Sequence, residues 1–264
     1  MKKYLVIGNP IDHSLSPKLH NYWIKENNIK AIYDKKLLNK DDIKEIISDV
    51  KKEKIHGINV TVPFKKYIIP FLDNLTALAQ ETQSVNTIYK KNNKVIGDNT
   101  DVGGFQNGLK HINYNAKNKK IFILGAGGVV PSIILALKKI GVSQISLSNR
   151  TKEKAENLKN FFKELKIINW GESTDFDMII NATILGLKKE DSIDIDFGKS
   201  ISGKLFYDLI YNPKKTNFLL NAEKNGNKIE NGKMMFIFQA QLAFNIWHDI
   251  LPKIDDETIK LLNV

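Results

Sequence analysis

Short apolar runs alternate with amphipathic stretches along nearly the whole chain. The runs 4–8, 31–37 and 55–62 have the length and β-branched content of strands. Between them, 16–27 and 41–50 repeat apolar residues at helical spacing. Ser16-Pro17 opens the first and acidic residues open the second. Two shorter helical pieces are expected at 65–72 and 75–83. The runs 85–89 and 94–98 flank Asn92-Asn93 and predict a hairpin, and 100–111 predicts a helix. The polar segment NYNAKNK, 113–119, reads as a link between domains.

Beyond that link the pattern predicts strands at 121–124, 144–148, 166–169, 178–181 and 205–209. Helices are expected between the first few, including 129–140, and at 216–225. A last long helix, 233–251, carries an apolar face with Phe244 and Trp247. No internal repeat is present. Alternating strands and helices predict an α/β protein of two parallel-sheet lobes with a cleft between them.

A chain of 264 residues is long enough for a sizeable core, and 42% hydrophobic with 26% charged residues is ordinary for a globular protein. The absence of cysteine excludes disulfides, thiolate catalysis and Cys-based zinc sites, and agrees with a reducing cytoplasm. No apolar run reaches the roughly 18 residues of a membrane span. The apolar stretch after Met1-Lys2-Lys3 is too short for a signal peptide. The formal net charge of +11 raises a nucleic-acid partner. The lysines, however, are spread along the chain and form no basic cluster interleaved with aromatics. Most of this charge reads as solvated surface, and a smaller part as attraction for anionic ligands. The five histidines have no metal-ligand spacing.

The stretch KIFILGAGGVV, 120–130, runs from strand through Gly125-Ala126-Gly127-Gly128 into a helix, the opening of a dinucleotide-binding βαβ unit. There a tight turn lets the backbone approach a pyrophosphate at the first helical N–H groups. Val130 takes the third glycine position and Pro131 follows it. The next strand ends at Asn149-Arg150-Thr151. An NAD enzyme usually has a carboxylate near this point, whereas Arg150 suits a 2′-phosphate, with Lys154 one turn on. The plain alternative is a surface arginine beside a helix that Thr151 starts.

In the first half, polar residues gather at strand ends. Ser14 and Ser16 offer two hydroxyls at a helix start, which suits either a small carboxylate or an ordinary cap. Alternation puts Asn59 and Thr61 on one face at the carboxyl end of a strand, with Lys65 on the following turn. Asn86 lies in another strand, and Asp101 opens a helix. Asn, Thr and Asp with one Lys can bind a polyol, and Lys with Asp can form a proton-transfer pair.

Taken in order, SLSP (14–17), NVTVPFK (59–65), VNT (85–87), NTD (99–101), GAGG (125–128), NRT (149–151), NAT (181–183), DLIYNP (208–213) and GKMMFIFQA (232–240) resemble the motifs of the shikimate dehydrogenase family nearly end to end. The resemblance implies an N-terminal substrate-binding lobe, 1–103 with 236–264, and a Rossmann-type NADP-binding lobe, 104–235, with the C-terminal helix returning to the first lobe. It implies NADPH-dependent reduction of 3-dehydroshikimate to shikimate, without a metal. Lys65 and Asp101 would be the catalytic pair. Ser14, Ser16 and Tyr211 would hold the substrate carboxylate, and Asn59, Thr61, Asn86 and Gln239 its hydroxyls and the site around them. Gly125, Ala126, Gly127, Gly128 and Val129 would take the pyrophosphate, and Asn149, Arg150, Thr151 and Lys154 the 2′-phosphate end. Thr183 and Gly232 would complete the cofactor site. The chain departs from the family at Val102, usually Gly, and at Ile184-Leu185, usually a small residue or proline.

The implied partners are therefore small molecules, with no nucleic acid and no membrane, in a cytoplasmic protein for which a homodimer is compatible. Two other readings stand beside this one. An NAD-dependent quinate/shikimate dehydrogenase is opposed by Arg150. A catalytically idle regulatory protein on the same fold is opposed by the Lys65 and Asp101 pair.

Overall fold

The computed structural model describes residues 1–195 and 201–262, which form two units. Met1–Phe105 with Phe236–Val264 make the first, and Gln106–Met235 the second. The first begins with β1 (Lys2–Gly8), α1 (Ser16–Glu26), β2 (Ala31–Leu37), α2 (Ile43–Lys51) and β3 (Gly57–Val60). It continues through β4 (Asn74–Leu75), α3 (Ala77–Thr82), β5 (Thr87–Lys91) and β6 (Lys94–Asp98) to α4 (Asp101–His111). The second holds β7 (Lys120–Leu124), α5 (Val130–Ile140), β8 (Gln144–Ser148), α6 (Lys152–Phe161) and β9 (Lys166–Ile168). It then holds β10 (Met178–Asn181), β11 (Leu205–Asp208), α7 (Asn217–Lys224) and β12 (Lys228–Asn231). The chain returns through α8 (Lys233–His248) and α9 (Asp256–Leu261).

The first sheet has the order β2-β1-β3-β5-β6-β4. Its β2, β1 and β3 are parallel, but β5 runs antiparallel to both β3 and β6. The expected parallel sheet is thus a mixed one. The cause is the tight turn at Asn92 and Asn93, both left-handed at φ 50° and 61°, which folds β6 directly back on β5. The second sheet, β12-β11-β10-β7-β8-β9, is parallel throughout. Its edge strand β12 was not expected. Only Ile229 is apolar in Lys228–Asn231, and pairing with β11 rather than patterning makes it a strand.

Three local differences have physical causes. Residues 65–72 form turns and one 3₁₀ segment, Ile69–Phe71, rather than a helix. The Lys65 carbonyl accepts from Val85 N at 2.8 Å, so it is not serving the helical ladder. The last long helix stops at His248 because Asp249 turns left-handed, at φ 55°, with Pro252 close behind. Segment 113–119 is the α4–β7 turn inside the second unit. The unit boundaries fall within α4 and α8 instead.

The first sheet packs one face on Ile43, Ile46 and Val50 of α2, against Leu5, Ile58 and Ile88 of the strands. Its other face carries an aromatic layer of Tyr4, His20, Trp23, Tyr33, Phe244 and Trp247, which joins α1 and α8 to β1 and β2. Trp247 Nε1 donates to Ile88 O at 3.1 Å, and a Cβ on Gly57 would collide with the same indole. The C-terminal helix is therefore part of the first unit's core. In the second unit Phe122, Phe176, Ile179, Phe206 and Phe218 form a core cluster. Among the described residues, no helix is long and apolar enough to cross a membrane.

Candidate active site

The polar residues of the first unit converge on Asp101. Asn99 caps α4, its Oδ1 accepting from Asp101 N at 3.1 Å and Val102 N at 3.4 Å. This fixes the Asp101 carboxylate at the first turn of the helix, where N–H groups otherwise lack partners. Lys65 Nζ donates to Asp101 Oδ2 at 2.6 Å, and Asn86 Nδ2 donates to Oδ1 at 2.9 Å. Side-chain exposures of 11% for Lys65 and 6% for Asp101 leave the pair nearly dry but reachable. Such a pair interacts more strongly than a surface ion pair, and its ammonium keeps further hydrogens for a ligand.

Asn86 is the hub behind the pair. Its Oδ1 accepts from Thr100 N at 2.8 Å and from Thr87 Oγ1 at 3.0 Å. Its Nδ2 also lies within reach of Thr100 Oγ1 at 2.9 Å and Gln239 Oε1 at 3.3 Å. Asn59 is engaged in the same way. It accepts from Tyr33 OH at 2.7 Å and donates to Asn86 O at 3.1 Å and Thr87 Oγ1 at 3.2 Å. Both of its amide hydrogens are thereby used inside the protein. Ser14 Oγ accepts from Ser16 N at 3.3 Å at the start of α1.

Lys65, Asp101, Asn86, Asn59 and Gln239 thus belong to one connected set, while Ser14 and Ser16 form a pair of their own. Thr61 stands apart. Its N–H donates to Ile7 O at 2.9 Å and its carbonyl accepts from Phe64 N at 2.9 Å, while its side chain makes no hydrogen bond among the described residues. Tyr211 belongs to the second unit. It is half-buried, and desolvation pushes its phenol up to about 12. Sequence reading passed over Tyr33, Thr87 and Thr100. The two threonines lie inside the VNT and NTD motifs. Tyr33 carries no signal beyond its place in a strand.

In the second unit, β7 delivers the glycine turn to α5. Gly125 needs to be glycine: its φ is +109°, and a Cβ would stand 2.8 Å from Ala182 O. Its N–H donates to Ser148 O at 2.8 Å, which ties the turn to the end of β8. Ala126 and Val129 are half-buried, and Gly127 and Gly128 are exposed at the helix entrance. A Cβ on Gly127 would meet only Ala182 O, at 3.9 Å, so the turn presents open backbone. Asn149 Nδ2 donates to Thr151 O at 2.7 Å, shaping the turn that carries Arg150. Arg150 and Lys154 are exposed, and neither side chain makes an ion pair among the described residues. Open backbone at a helix N-terminus with two uncommitted cations beyond the next strand fits a phosphorylated dinucleotide.

Asn181 and Asp208, each inside a motif, form the second unit's buried polar centre. Asn181 Oδ1 accepts from Thr183 N at 3.0 Å and Thr183 Oγ1 at 2.7 Å, which fixes Thr183 beyond β10. Asp208 accepts from Asn181 Nδ2, Ile210 N and Thr216 Oγ1, the last at 2.6 Å. Burial still pushes its carboxyl up to about 6. Gly232 lies so close to Leu209 O that no side chain fits there. Among the described residues, no group of three or more His, Asp or Glu is arranged to hold a metal ion.

A chain that holds both a parallel dinucleotide-type unit and a unit with a nearly dry lysine–carboxylate pair has the parts of the two-domain α/β dehydrogenase class. Two family models match: the shikimate dehydrogenase substrate-binding domain over residues 6–88, and shikimate/quinate 5-dehydrogenase over 108–185. The chain belongs to the shikimate dehydrogenase family. A shikimate dehydrogenase (NADP(+)) of Pelagibacter ubique is 62% identical over 263 residues, 100% of this chain and 99% of the relative. The crystal structure of shikimate dehydrogenase from Aquifex aeolicus matches with TM-score 0.89 at 35% identity, covering 100% of this chain and 98% of that one. A shikimate dehydrogenase in complex with NADP+ matches with TM-score 0.88 at 34% identity, covering 98% and 93%.

Proposed function

We propose that this chain catalyses the reversible, NADP-dependent interconversion of 3-dehydroshikimate and shikimate. The observation that carries the reading is the Lys65–Asp101 contact of 2.6 Å, held by Asn86 in a nearly dry polar site. Reducing a ketone builds charge on its oxygen, so a proton donor placed there lowers the barrier. NADPH supplies the hydride when bound. Lys65 gives its proton to the carbonyl oxygen and takes it back in the reverse direction. Asp101 orients the ammonium, and Asn86 holds Asp101.

In this reading Ser14, Ser16 and Tyr211 bind the substrate carboxylate, and Thr61, Asn86 and Gln239 line the hydroxyls, with Asn59 in support. Gly125 to Val129 bind the pyrophosphate. Asn149, Arg150, Thr151 and Lys154 read the 2′-phosphate, and Thr183 and Gly232 shape the rest of the cofactor site. Residues 1–103 with 236–264 are the substrate domain and 104–235 the NADP domain. The enzyme works in the cytoplasm on small molecules, with neither nucleic acid nor membrane as partner. Light scattering separates monomer from homodimer.

The test is NADPH oxidation with 3-dehydroshikimate, run beside NADH and beside quinate oxidation. Turnover that prefers NADPH and shikimate supports the reading. Equal use of NADH, or a preference for quinate, moves the chain to the NAD-dependent quinate class. No turnover with either pair removes the enzyme assignment.

A further inference from the structure

Tyr33 is clamped on every side by α1, β3 and α8. Its main chain is held by one side chain: Asn21 Nδ2 donates to Tyr33 O at 2.7 Å, and Tyr33 N donates to Asn21 Oδ1 at 2.9 Å. Its ring stacks on His20, with centroids 4.2 Å apart and planes 2° from parallel. Trp247 closes on the ring from α8, at 6.0 Å. His20 and Asn21, the two α1 residues that hold Tyr33, are adjacent in the second turn of that helix. Tyr33 itself is only 1% exposed. Burial keeps its phenol well above its usual range, so it stays protonated and donates.

That hydroxyl reaches into the site: it donates to Asn59 Oδ1 at 2.7 Å. With its oxygen turned to Tyr33, the Asn59 carboxamide aims Nδ2 at Asn86 O and Thr87 Oγ1. Thr87 Oγ1 donates to Asn86 Oδ1 at 3.0 Å, and Asn86 Nδ2 holds Asp101 Oδ1. Without that donor the buried Asn59 Oδ1 is left unpaired, and the carboxamide can tilt toward another donor at the expense of its bonds to Asn86 O and Thr87 Oγ1.

Resting on the functional reading above, we infer that Tyr33 is a positioning residue: its hydroxyl sets the Asn59 carboxamide, which holds Asn86, and through it Asp101, in register for Lys65. A side chain this tightly held is what preorganisation of a reacting pair requires.

Tyr33→Phe removes one oxygen and keeps the stacked ring. The experiment measures kcat at saturating 3-dehydroshikimate and NADPH, both KM values and the thermal midpoint. It uses the wild type, Tyr33→Phe, Asn59→Ser and the double variant. Tyr33→Phe is expected to lower kcat about tenfold, with KM for NADPH within about twofold of wild type. In the Asn59→Ser background the same change is expected to cost less than about twofold, because the route to Asp101 is already cut. A folded Tyr33→Phe with wild-type kcat overturns the inference, whatever its thermal midpoint. So does a tenfold loss that persists in the Asn59→Ser background. A Tyr33→Phe chain that no longer folds assigns the phenol to the fold itself and overturns the positioning role. A wild type that does not turn over this substrate pair removes the functional reading first, and this inference with it.

Discussion

Lys65 and Asp101 meet at 2.6 Å across 36 positions of sequence, with the other Asp101 oxygen taken by Asn86. The contact leaves the ammonium one fixed partner and room for a second. A donor that acts in the transition state affects kcat, whereas a group that only binds affects KM. Lys65→Met is therefore expected to lower kcat by roughly 10²–10⁴ with little change in KM. Asp101→Asn should do the same, and the double variant should lose much less than the product of the two. Near-normal kcat in Lys65→Met at saturating 3-dehydroshikimate would sink the assignment.

Arg150 bears on cofactor choice. It is exposed beyond β8 and has no ion-pair partner among the described residues. A charged hydrogen bond is worth about 1.5–3 kcal/mol. Arg150→Ala should thus raise KM for NADP by roughly 10- to 150-fold and leave KM for NAD nearly unchanged. Equal losses with both cofactors would show that Arg150 does not read the phosphate.

Ser14 and Ser16 sit at the start of α1, with Ser14 Oγ accepting from Ser16 N. Replacing both with Ala is expected to weaken shikimate binding while sparing NADP binding, as measured by calorimetry. Normal shikimate affinity in the double variant would put the carboxylate elsewhere.

His20 links the site's scaffold to pH. It is buried, neither ring nitrogen has a hydrogen-bond partner among the described residues, and desolvation, with His248 nearby, pushes it down to about 3. Its folded value lies below the unfolded value of about 6.5. The unfolded chain therefore takes up the proton first. Stability is lost as pH falls from about 6.5 toward 3, by up to roughly 5 kcal/mol. Asp208 acts with the opposite sign. Its folded value of about 6 exceeds its unfolded value, so its contribution declines as pH rises through that interval. Urea unfolding of wild type and His20→Phe at pH 7 and pH 4 cancels the Asp208 effect in the difference. The wild type should lose more stability between the two pH values. Parallel losses would remove His20 from the account.

Local pattern determined a good deal by itself. Strands 144–148 and 178–181 fall where alternation or continuous apolar character placed them, because a buried strand must be apolar and its side-chain period is set by the backbone. The glycine turn at Gly125 was legible because a left-handed residue packed on Ala182 O admits little else. Lys65, Asn86 and Asp101 were legible as polar residues at strand and helix ends. What no local pattern carried was pairing. β12 is a strand because β11 lies beside it, and residues 65–72 are not a helix because Val85 claims the Lys65 carbonyl. Tyr33 reads as one more strand residue until Asn21, His20 and Asn59 close around it. A hydrogen bond between distant residues depends on where the two ends are brought. Only the tertiary structure decides that, since the periodicity of a strand or helix says which face a side chain takes and nothing about what it meets there.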